Sequence, residues 1–149
     1  MGKRARICDY GEIYTVDKKS CFEGAGACYL ASMAALRSGA GLVTVGVPKS
    51  LVLPLSRRMT EAMMLPLPQT KRGTLSRTAL IPIRRFLKTQ DVLALGPGLS
   101  LNPDTQYVIR YTVLHSDKPM VIDADGLNAF KGRAELFQKL KAPVILTPH

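Results

Sequence analysis

The feature that most constrains the fold is an alternation of short aliphatic runs with segments long enough to form helices. The runs occupy residues 13–16, 42–47, 62–65, 92–95, 120–122 and 144–146. Strands separated by helix-length segments are typical of βαβ units, in which consecutive strands pair in parallel. We therefore expect an α/β fold with a mostly parallel sheet.

Two helices are indicated by their composition and by the residues at their ends. Residues 27–38 are rich in alanine and other helix formers, and Gly39 supplies a stop signal. Asn102 followed by Pro103 is typical of a helix start, which predicts a helix over residues 105–114. The side chains expected within reach of its inner face are Tyr107, Ile109 or Arg110, Val113 and Leu114.

The remaining pattern along the chain predicts covered strands, weaker helices and a loop. Residues 92–95 and 144–146 are apolar without alternation, as expected when helices cover both faces of a strand. Residues 78–87 and 133–141 have weaker helical patterns. The proline-rich and basic stretch 65–73 is typical of a surface loop or a short lid.

Length and charge limit the possible classes of protein. The chain has 149 residues, 46% of them hydrophobic, which fits one globular domain over residues 1–149. Its 21 basic and 11 acidic residues give a net charge of +10, which favours nucleic acid, anionic lipid or phosphorylated small molecules as partners. The basic pairs are scattered with little aromatic interleaving, so we expect solvated faces and no nucleic-acid groove.

The sequence also bears on the compartment. No apolar run approaches the roughly 20 residues that a membrane helix needs, so we expect no membrane association. The three cysteines lack CxxC spacing and are odd in number, which favours a reducing, cytoplasmic setting.

Chemistry is expected where the strands end, because loops and helix N-termini converge at the carboxyl edge of a parallel sheet. Three strands are followed by distinctive residues: 96–100 (Gly-Pro-Gly-Leu-Ser), 123–128 (Asp-Ala-Asp-Gly-Leu-Asn) and 147–149 (Thr-Pro-His). A fourth candidate is the turn at residues 23–27, before the alanine-rich helix.

Each of these segments also has a purely structural interpretation. Gly-Pro-Gly after a strand is commonly only a tight turn. Asp123 and Asp125 could bind a metal or accept a proton, or they could cap a helix. Residues 24–26 do not continue into GxGxxG, so a Rossmann dinucleotide site is disfavoured, and a metal-ligand role for the isolated His115 is disfavoured as well.

Five motifs in order make the chain resemble a known family. They are residues 9–11 (Asp-Tyr-Gly), the block 26–44 that ends in Ala-Ala-Leu-Arg-Ser-Gly-Ala-Gly-Leu-Val-Thr, and residues 95–99, 123–128 and 146–149. With these motifs the chain resembles the ADP/ATP-dependent NAD(P)H-hydrate dehydratases. These form the YjeF C-terminal, or carbohydrate-kinase-related, group of the ribokinase-like superfamily.

The resemblance implies a three-layer α/β/α fold and a lyase that repairs hydrated NADH or NADPH (NADHX, NADPHX). ADP or ATP would phosphorylate the substrate before phosphate is eliminated, and it stays open whether Mg2+ accompanies the nucleotide. By position, the resemblance implies substrate contacts at Ala27, Gly98 and His149, and pocket positions at Gly96, Asp123 and Asn128.

The sequence also departs from the family pattern. The family continues after Thr-Pro-His with Pro-Gly-Glu and a catalytic Gly-Thr-Gly-Asp motif, and the nearest segment in the chain is residues 132–135 (Gly-Arg-Ala-Glu). Residues 17–20 read Asp-Lys-Lys-Ser where the family has a glycine-rich turn. We therefore expect the N-terminal half of the domain, inactive without the rest.

This expectation extends to partners and to an exposed edge. A second chain could supply the missing half, and family members tend to form homo-oligomers. Without that half, the apolar run 144–146 should be left exposed at an edge of the sheet. Two alternatives stay open: a ribokinase-like small-molecule kinase fragment, and a non-catalytic basic binding module.

Overall fold

The computed structural model describes residues 6–7, 13–14 and 25–148. The strands are β1 (Arg6–Ile7), β2 (Ile13–Tyr14), β3 (Thr44–Pro48), β4 (Met63–Leu67), β5 (Leu93–Leu95), β6 (Met120–Asp123) and β7 (Val144–Thr147). The helices are α1 (Ala25–Arg37), α2 (Lys49–Ser56), α3 (Leu80–Leu87), α4 (Pro103–His115) and the single turn α5 (Asp125–Asn128). Two 3-10 segments cover Arg77–Ala79 and Ala134–Lys139.

The strands pair mostly in parallel, as the sequence predicts. β3 pairs with β4, and β5, β6 and β7 form a second group in that order, all in parallel. Only β1 and β2 pair antiparallel among the described strands. The α/β class with a parallel sheet is therefore confirmed, and hydrogen bonding in the described part of the chain divides the parallel strands into two groups.

Three clusters of buried side chains hold these elements together. The first lies among α1, β3, α2 and β4, the second between α4 and the β5–β7 strands, and the third where β4, the segment before α3, and α4 meet. The first contains Val45, Val47, Leu51, Leu55, Met59 and Ala62. The second contains Ile109, Val113, Met120, Ile122, Ala129 and Phe130, and the third contains Leu67, Leu75, Ala79 and Val108.

Helix α4 confirms the start signal read from the sequence. The Asn102 side chain accepts a hydrogen bond from the Asp104 amide at 3.0 Å, and the proline takes the first helical position, where no backbone donor is needed. Ile109 and Val113 are buried as expected. Tyr107 is not on the inner face: it is 38% exposed, and Val108 points inward in its place.

The expectation that helices cover both faces of 92–95 and 144–146 is wrong for the described residues. Leu93 and Leu95 pack on the second cluster, whereas Ala94 between them is exposed. On β7, Ile145 is 63% exposed. The reason is that Met120 and Ile122 of the central strand face α4, so in the described part of the chain packing covers one side of the β5–β7 strands. The exposed apolar edge expected at residues 144–146 is observed.

Two further expectations need correction. The stretch 65–73 is not all loop, because β4 runs through Pro66 to Leu67, which is only 2% exposed. Proline is tolerated there because β4 pairs with β3 alone among the described strands and so lies at an edge. Within residues 133–141, the structure has a 3-10 segment over Ala134–Lys139 in place of the expected helix.

The sequence pattern predicts no helix over the residues of α2, because the proline at position 54 disfavours one. Packing overrides this preference, because Leu51 and Leu55 lie four residues apart and both are buried in the first cluster. The helix lacks a local cap. The Gln69 side chain, 19 residues away, accepts a hydrogen bond from the Ser50 amide at 2.8 Å.

This distant cap can be tested with Gln69→Ala. Removing the acceptor leaves the first turn of α2 without its protein partner, and we expect the free energy of unfolding to fall by about 1 kcal/mol. Gln138→Ala is the control, because Gln138 is also exposed and lies in the 3-10 segment far from α2. Urea unfolding of both variants measures the difference, and equal stabilities would show that the cap contributes nothing.

Candidate functional site

The carboxyl ends of β5 and β6 lie side by side because Leu95 pairs with Ile122 in the parallel register. The turns that follow, residues 96–100 and 123–128, are therefore neighbours. Gly96 has φ +145°, and a Cβ at that position would overlap the backbone carbonyl of Asp123. A Cβ at Gly126 would lie 2.8 Å from the Leu95 carbonyl oxygen. Only glycine allows the two turns to approach this closely.

A buried carboxylate connects the same two turns. Asp125, 6% exposed, accepts a hydrogen bond through Oδ2 from the Ser100 amide at 2.7 Å. Its Oδ1 accepts another from Asn128 Nδ2 at 3.2 Å. A carboxylate that accepts a hydrogen bond from an amide group on each oxygen has its hydrogen-bonding needs met by the protein itself. The geometry therefore favours the turn-forming interpretation of Asp125 over a metal-binding or proton-accepting one.

Helix α4 adds a third support to the turn at residues 96–100, which we call the glycine turn. Gln106 Nε2 donates to the Ser100 carbonyl at 3.0 Å, and the Asn102 amide donates to Ser100 Oγ at 3.2 Å. These contacts hold Ser100 at φ +82°, a conformation that L-residues rarely adopt. Backbone of this kind persists where surrounding contacts enforce it, which is common at binding sites.

The position of Gly98 suits contact with a ligand. It has φ +74° and lies at the centre of the turn, half-buried. Within the described part of the chain, its amide takes part in none of the hydrogen bonds that hold this turn. Helix α4 begins at the same edge, so the positive end of its dipole lies there, while Pro103 has no N–H and the Asp104 amide donates to Asn102.

Asp123 and Asn128 lie at the two ends of the neighbouring turn. The Asp123 Oδ1 atom accepts a hydrogen bond from Thr147 Oγ1 at 2.9 Å, which joins the ends of β6 and β7. Ala124, between the strand and α5, has φ +41°, a conformation that L-residues rarely adopt. Asn128 closes α5 and donates to Asp125.

The structure thus brings together four of the residues singled out from the sequence: Gly96, Gly98, Asp123 and Asn128. Ala27 lies in the first turn of α1, which packs with α2, and the described contacts do not bring it to the glycine turn. His149 lies outside the described residues, as do residues 8–12 and 15–24.

Ser100 lies in the candidate segment 96–100, whereas Gln106, which also supports the turn, was not predicted from the sequence. The signal for Gln106 was weak, because a glutamine in the first turns of a helix is usually solvated. It is nevertheless 9% exposed here. Its burial depends on the contact between α4 and the two turns, which arises only in the folded chain.

The segment before α3 packs beside this edge. Thr105 Oγ1 donates to the Leu75 carbonyl at 3.1 Å, and Arg77 pairs with Asp104 at 2.9 Å. The buried threonine bond is the structural tie, since an exposed ion pair contributes little to stability. The first turn of α4 therefore lies between residues 75–77 and the glycine turn.

Within residues 25–148, the groups whose surroundings clearly shift their pKa are Cys28 and Arg110, and both lie away from the glycine turn. Burial raises the pKa of the Cys28 thiol, partly opposed by a hydrogen bond from Ser32. Partial burial and the nearby charge of Arg133 lower the pKa of Arg110, whose guanidinium donates to the Ala129 carbonyl at 3.0 Å.

No group of three metal-ligating side chains occurs within residues 25–148. Over the same residues, no helix is long and apolar enough to cross a membrane.

The glycine turn and the turn at residues 123–128 fall within a stretch that matches a family model. Residues 21–149 match the model described as NAD(P)H-hydrate dehydratase. The chain belongs to this family. It is 44% identical over 124 residues to the bifunctional NAD(P)H-hydrate repair enzyme Nnr of Moorella thermoacetica, and 40% identical over 127 residues to that of Salinibacter ruber. These alignments cover 83% and 84% of the chain and 23% of each relative, so the chain spans about a quarter of their length.

Solved structures show the same fold. A ribokinase-like superfamily protein of Enterococcus faecalis superposes with a TM-score of 0.68 at 26% identity, over 86% of this NAD(P)H-hydrate dehydratase family chain and 42% of the other. The ADP/ATP-dependent NAD(P)H-hydrate dehydratase of Bacillus subtilis, co-crystallised with ATP and Mg2+ and soaked with CoA, gives 0.59 at 28% identity over the same shares. The ribokinase-like fold is therefore confirmed for the part of the domain present.

The close approach of the two turns can be tested with Gly96→Ala. The added methyl group would require the Asp123 backbone to move, and we expect the free energy of unfolding to fall by about 3 kcal/mol or more. Gly132→Ala is the matched control, because Gly132 also has positive φ, +70°, with no atom near its Cβ position. For this control we expect the free energy of unfolding to fall by only about 1 kcal/mol. Similar losses in urea unfolding would contradict the packing described.

Proposed function

We propose that this chain forms the substrate-facing part of an ADP/ATP-dependent NAD(P)H-hydrate dehydratase domain, a carbon–oxygen lyase that returns hydrated NADH and NADPH to the intact cofactors. One observation carries the proposal. Within the family-matched residues, two turns interlock at the carboxyl edge of the parallel strands and present the Gly98 backbone. Ligands of open α/β sheets bind at this edge.

The chemistry of the substrate fits this edge. A hydrated dinucleotide carries a pyrophosphate, and an anion is favoured by turn amides and by the N-terminus of α4. We assign contact with the substrate to Ala27, Gly98 and His149. Gly96 brings the turn against β6, while Asp123 and Asn128 shape the adjacent wall.

The proposed reaction uses ADP or ATP as the phosphoryl donor. The hydroxyl of the hydrate loses its proton to the group that activates it, and its oxygen forms a bond to the terminal phosphorus. The bond from that phosphorus to the bridging oxygen breaks, so the shortened nucleotide leaves. The carbon–oxygen bond then breaks, phosphate departs with the bonding electrons, and loss of a proton restores the dihydronicotinamide ring. Phosphoryl transfer depends mainly on positioning and on neutralising charge, for which Mg2+ is a common aid.

The remaining part of the family domain would supply the donor side. We assign to it the groups that hold the nucleotide and activate the hydroxyl, whether it lies in the same polypeptide or in a second chain. The exposed apolar strand β7, with Ile145 63% exposed, is where further strands would pair. A homo-oligomer working in the cytoplasm is the setting that we propose.

The role of the glycine turn can be tested with Gly98→Ala in the complete gene product. A methyl group at φ +74° disturbs the turn and the approach to its amide, so we expect KM for NADHX to rise about tenfold with a smaller change in kcat. Gly132→Ala carries a similar backbone penalty in open space and is the control. The measurement is ADP- or ATP-dependent recovery of NADH absorbance.

Two results would count against this proposal. A complete gene product that restores no NADH or NADPH with either nucleotide would overturn the assigned activity. Restoration with equal KM values in Gly98→Ala and Gly132→Ala would retain the activity but remove the glycine turn from the substrate site.

The 149-residue chain by itself provides a separate test. We expect it to bind NADHX weakly and to restore no cofactor, since it covers 42% of the solved Bacillus subtilis chain and the donor side is assigned elsewhere. Equilibrium dialysis measures the binding, and the absorbance assay measures turnover. Nucleotide-dependent repair by this chain alone would show that its own residues suffice.

A further inference from the structure

A second concave surface lies between α3 and α4. It is a shallow concavity of about 380 Å³, a volume within the range of small-molecule sites, and it is widely open to solvent. Its lining residues are Leu80, Ile81, Arg84, Arg85, Lys88 and Tyr111. We call it the α3–α4 pocket. Arg84, Arg85 and Tyr111 lie in the C-terminal halves of their helices, and Lys88 directly follows α3. These helix ends precede β5 and β6, so the basic part of the pocket lies on the side of the amino ends of the strands, away from the glycine turn.

Three cations line the pocket, and none of its lining residues is acidic. Arg84 and Lys88 are four residues apart, at the spacing that places side chains on one side of a helix, and Arg85 is adjacent. Within residues 25–148 the recorded ion pair joins Arg77 to Asp104 and does not include these cations. The pocket therefore holds concentrated positive charge that an anion could neutralise.

The other part of the pocket is apolar and aromatic. Ile81 is 75% exposed, an unusual position for an isoleucine beside three cations. The Tyr111 ring stacks on His115 with centroids 4.0 Å apart and planes 12° apart, and the Arg84 guanidinium lies 5.9 Å from the Tyr111 centroid. A guanidinium held near a ring is partly positioned before any ligand arrives.

We propose that the α3–α4 pocket binds a nucleoside phosphate at a site separate from the substrate-facing turns. Arg84, Arg85 and Lys88 receive the phosphates, while Leu80, Ile81 and Tyr111 contact the base and sugar. Inorganic phosphate would leave the apolar part unused. An open concavity of this size also fits one mononucleotide better than a strand of nucleic acid, which needs a longer basic track.

The test uses ADP, pyrophosphate and adenosine as probes in NMR titrations of the complete protein. The His115 imidazole stacks on Tyr111, so its ring protons report events in the pocket, and a His115→Gln variant assigns the signal. We expect ADP to shift the His115 resonance with a Kd at least about tenfold lower than that of either fragment, because only ADP engages both parts of the pocket.

Two double variants that remove the same charge distinguish specific binding in the pocket from nonspecific attraction of ADP to a basic protein. Arg84→Gln/Lys88→Gln should weaken ADP binding about tenfold or more, because it removes two donors to phosphate. Arg57→Gln/Arg58→Gln removes the same charge from an exposed pair at the end of α2 and should change Kd less than about twofold, because salt screens distant charges. Tyr111→Leu should weaken the binding of ADP more than the binding of pyrophosphate, because only ADP contacts the aromatic part of the pocket.

Three results would overturn the proposal. These are an unmoved His115 resonance at millimolar ADP, equal weakening by the two double variants, and tighter binding per site of a short single-stranded RNA than of ADP. The result is independent of the repair assay. Gly98→Ala should leave the His115 titration unchanged, so a failure of the proposed activity and a failure of this pocket are told apart.

Discussion

The approach of the Gly96 backbone to the Asp123 backbone is the contact on which the carboxyl edge depends. No side chain fits between the two, so the turn after β5 and the turn after β6 are set by the same constraint. The Asp125 carboxylate then fastens the pair through the Ser100 amide. Buried hydrogen bonds to a charged acceptor are stronger than neutral ones, and removing one partner leaves the other without compensation. The geometry that Gly98 presents follows from these contacts.

Helix α4 connects this edge to the rest of the structure. Val108 packs in the third cluster, whereas Ile109 and Val113 pack in the second, and Leu99 contacts both. The same helix contributes Gln106 to the glycine turn and Tyr111 to the α3–α4 pocket. One rigid element therefore positions both surfaces, through residues that lie five positions apart along it. A substitution in its core-facing side would disturb the two together, so the variants that separate them must lie on its surface or in the turns.

The basic residues show how folding changes the meaning of a sequence pattern. Along the chain, the pairs of arginines and lysines are scattered and predict solvated faces. In the structure, Arg84 and Lys88 line the same pocket as Tyr111, which belongs to α4, a helix that begins 15 residues after Lys88. The Arg77 guanidinium likewise lies 4.7 Å from the centre of the Tyr107 ring. Whether basic residues form a site depends on which helices pack side by side. Spacing in the sequence cannot supply that information when the partners are far apart.

The amino-acid sequence by itself determined the α/β class, the parallel strands, the start of α4 at Asn102 and the family, because periodicity, caps and local motifs are properties of short segments. It also located the two turns that form the candidate site. Only the tertiary structure decided that Pro54 lies within a helix capped from Gln69, that β4 continues through Pro66, that Asp125 fastens the turns, and that one side of β5 and β7 stays exposed. Each of these depends on contacts between segments that lie far apart along the chain, where burial and backbone geometry outweigh local preference.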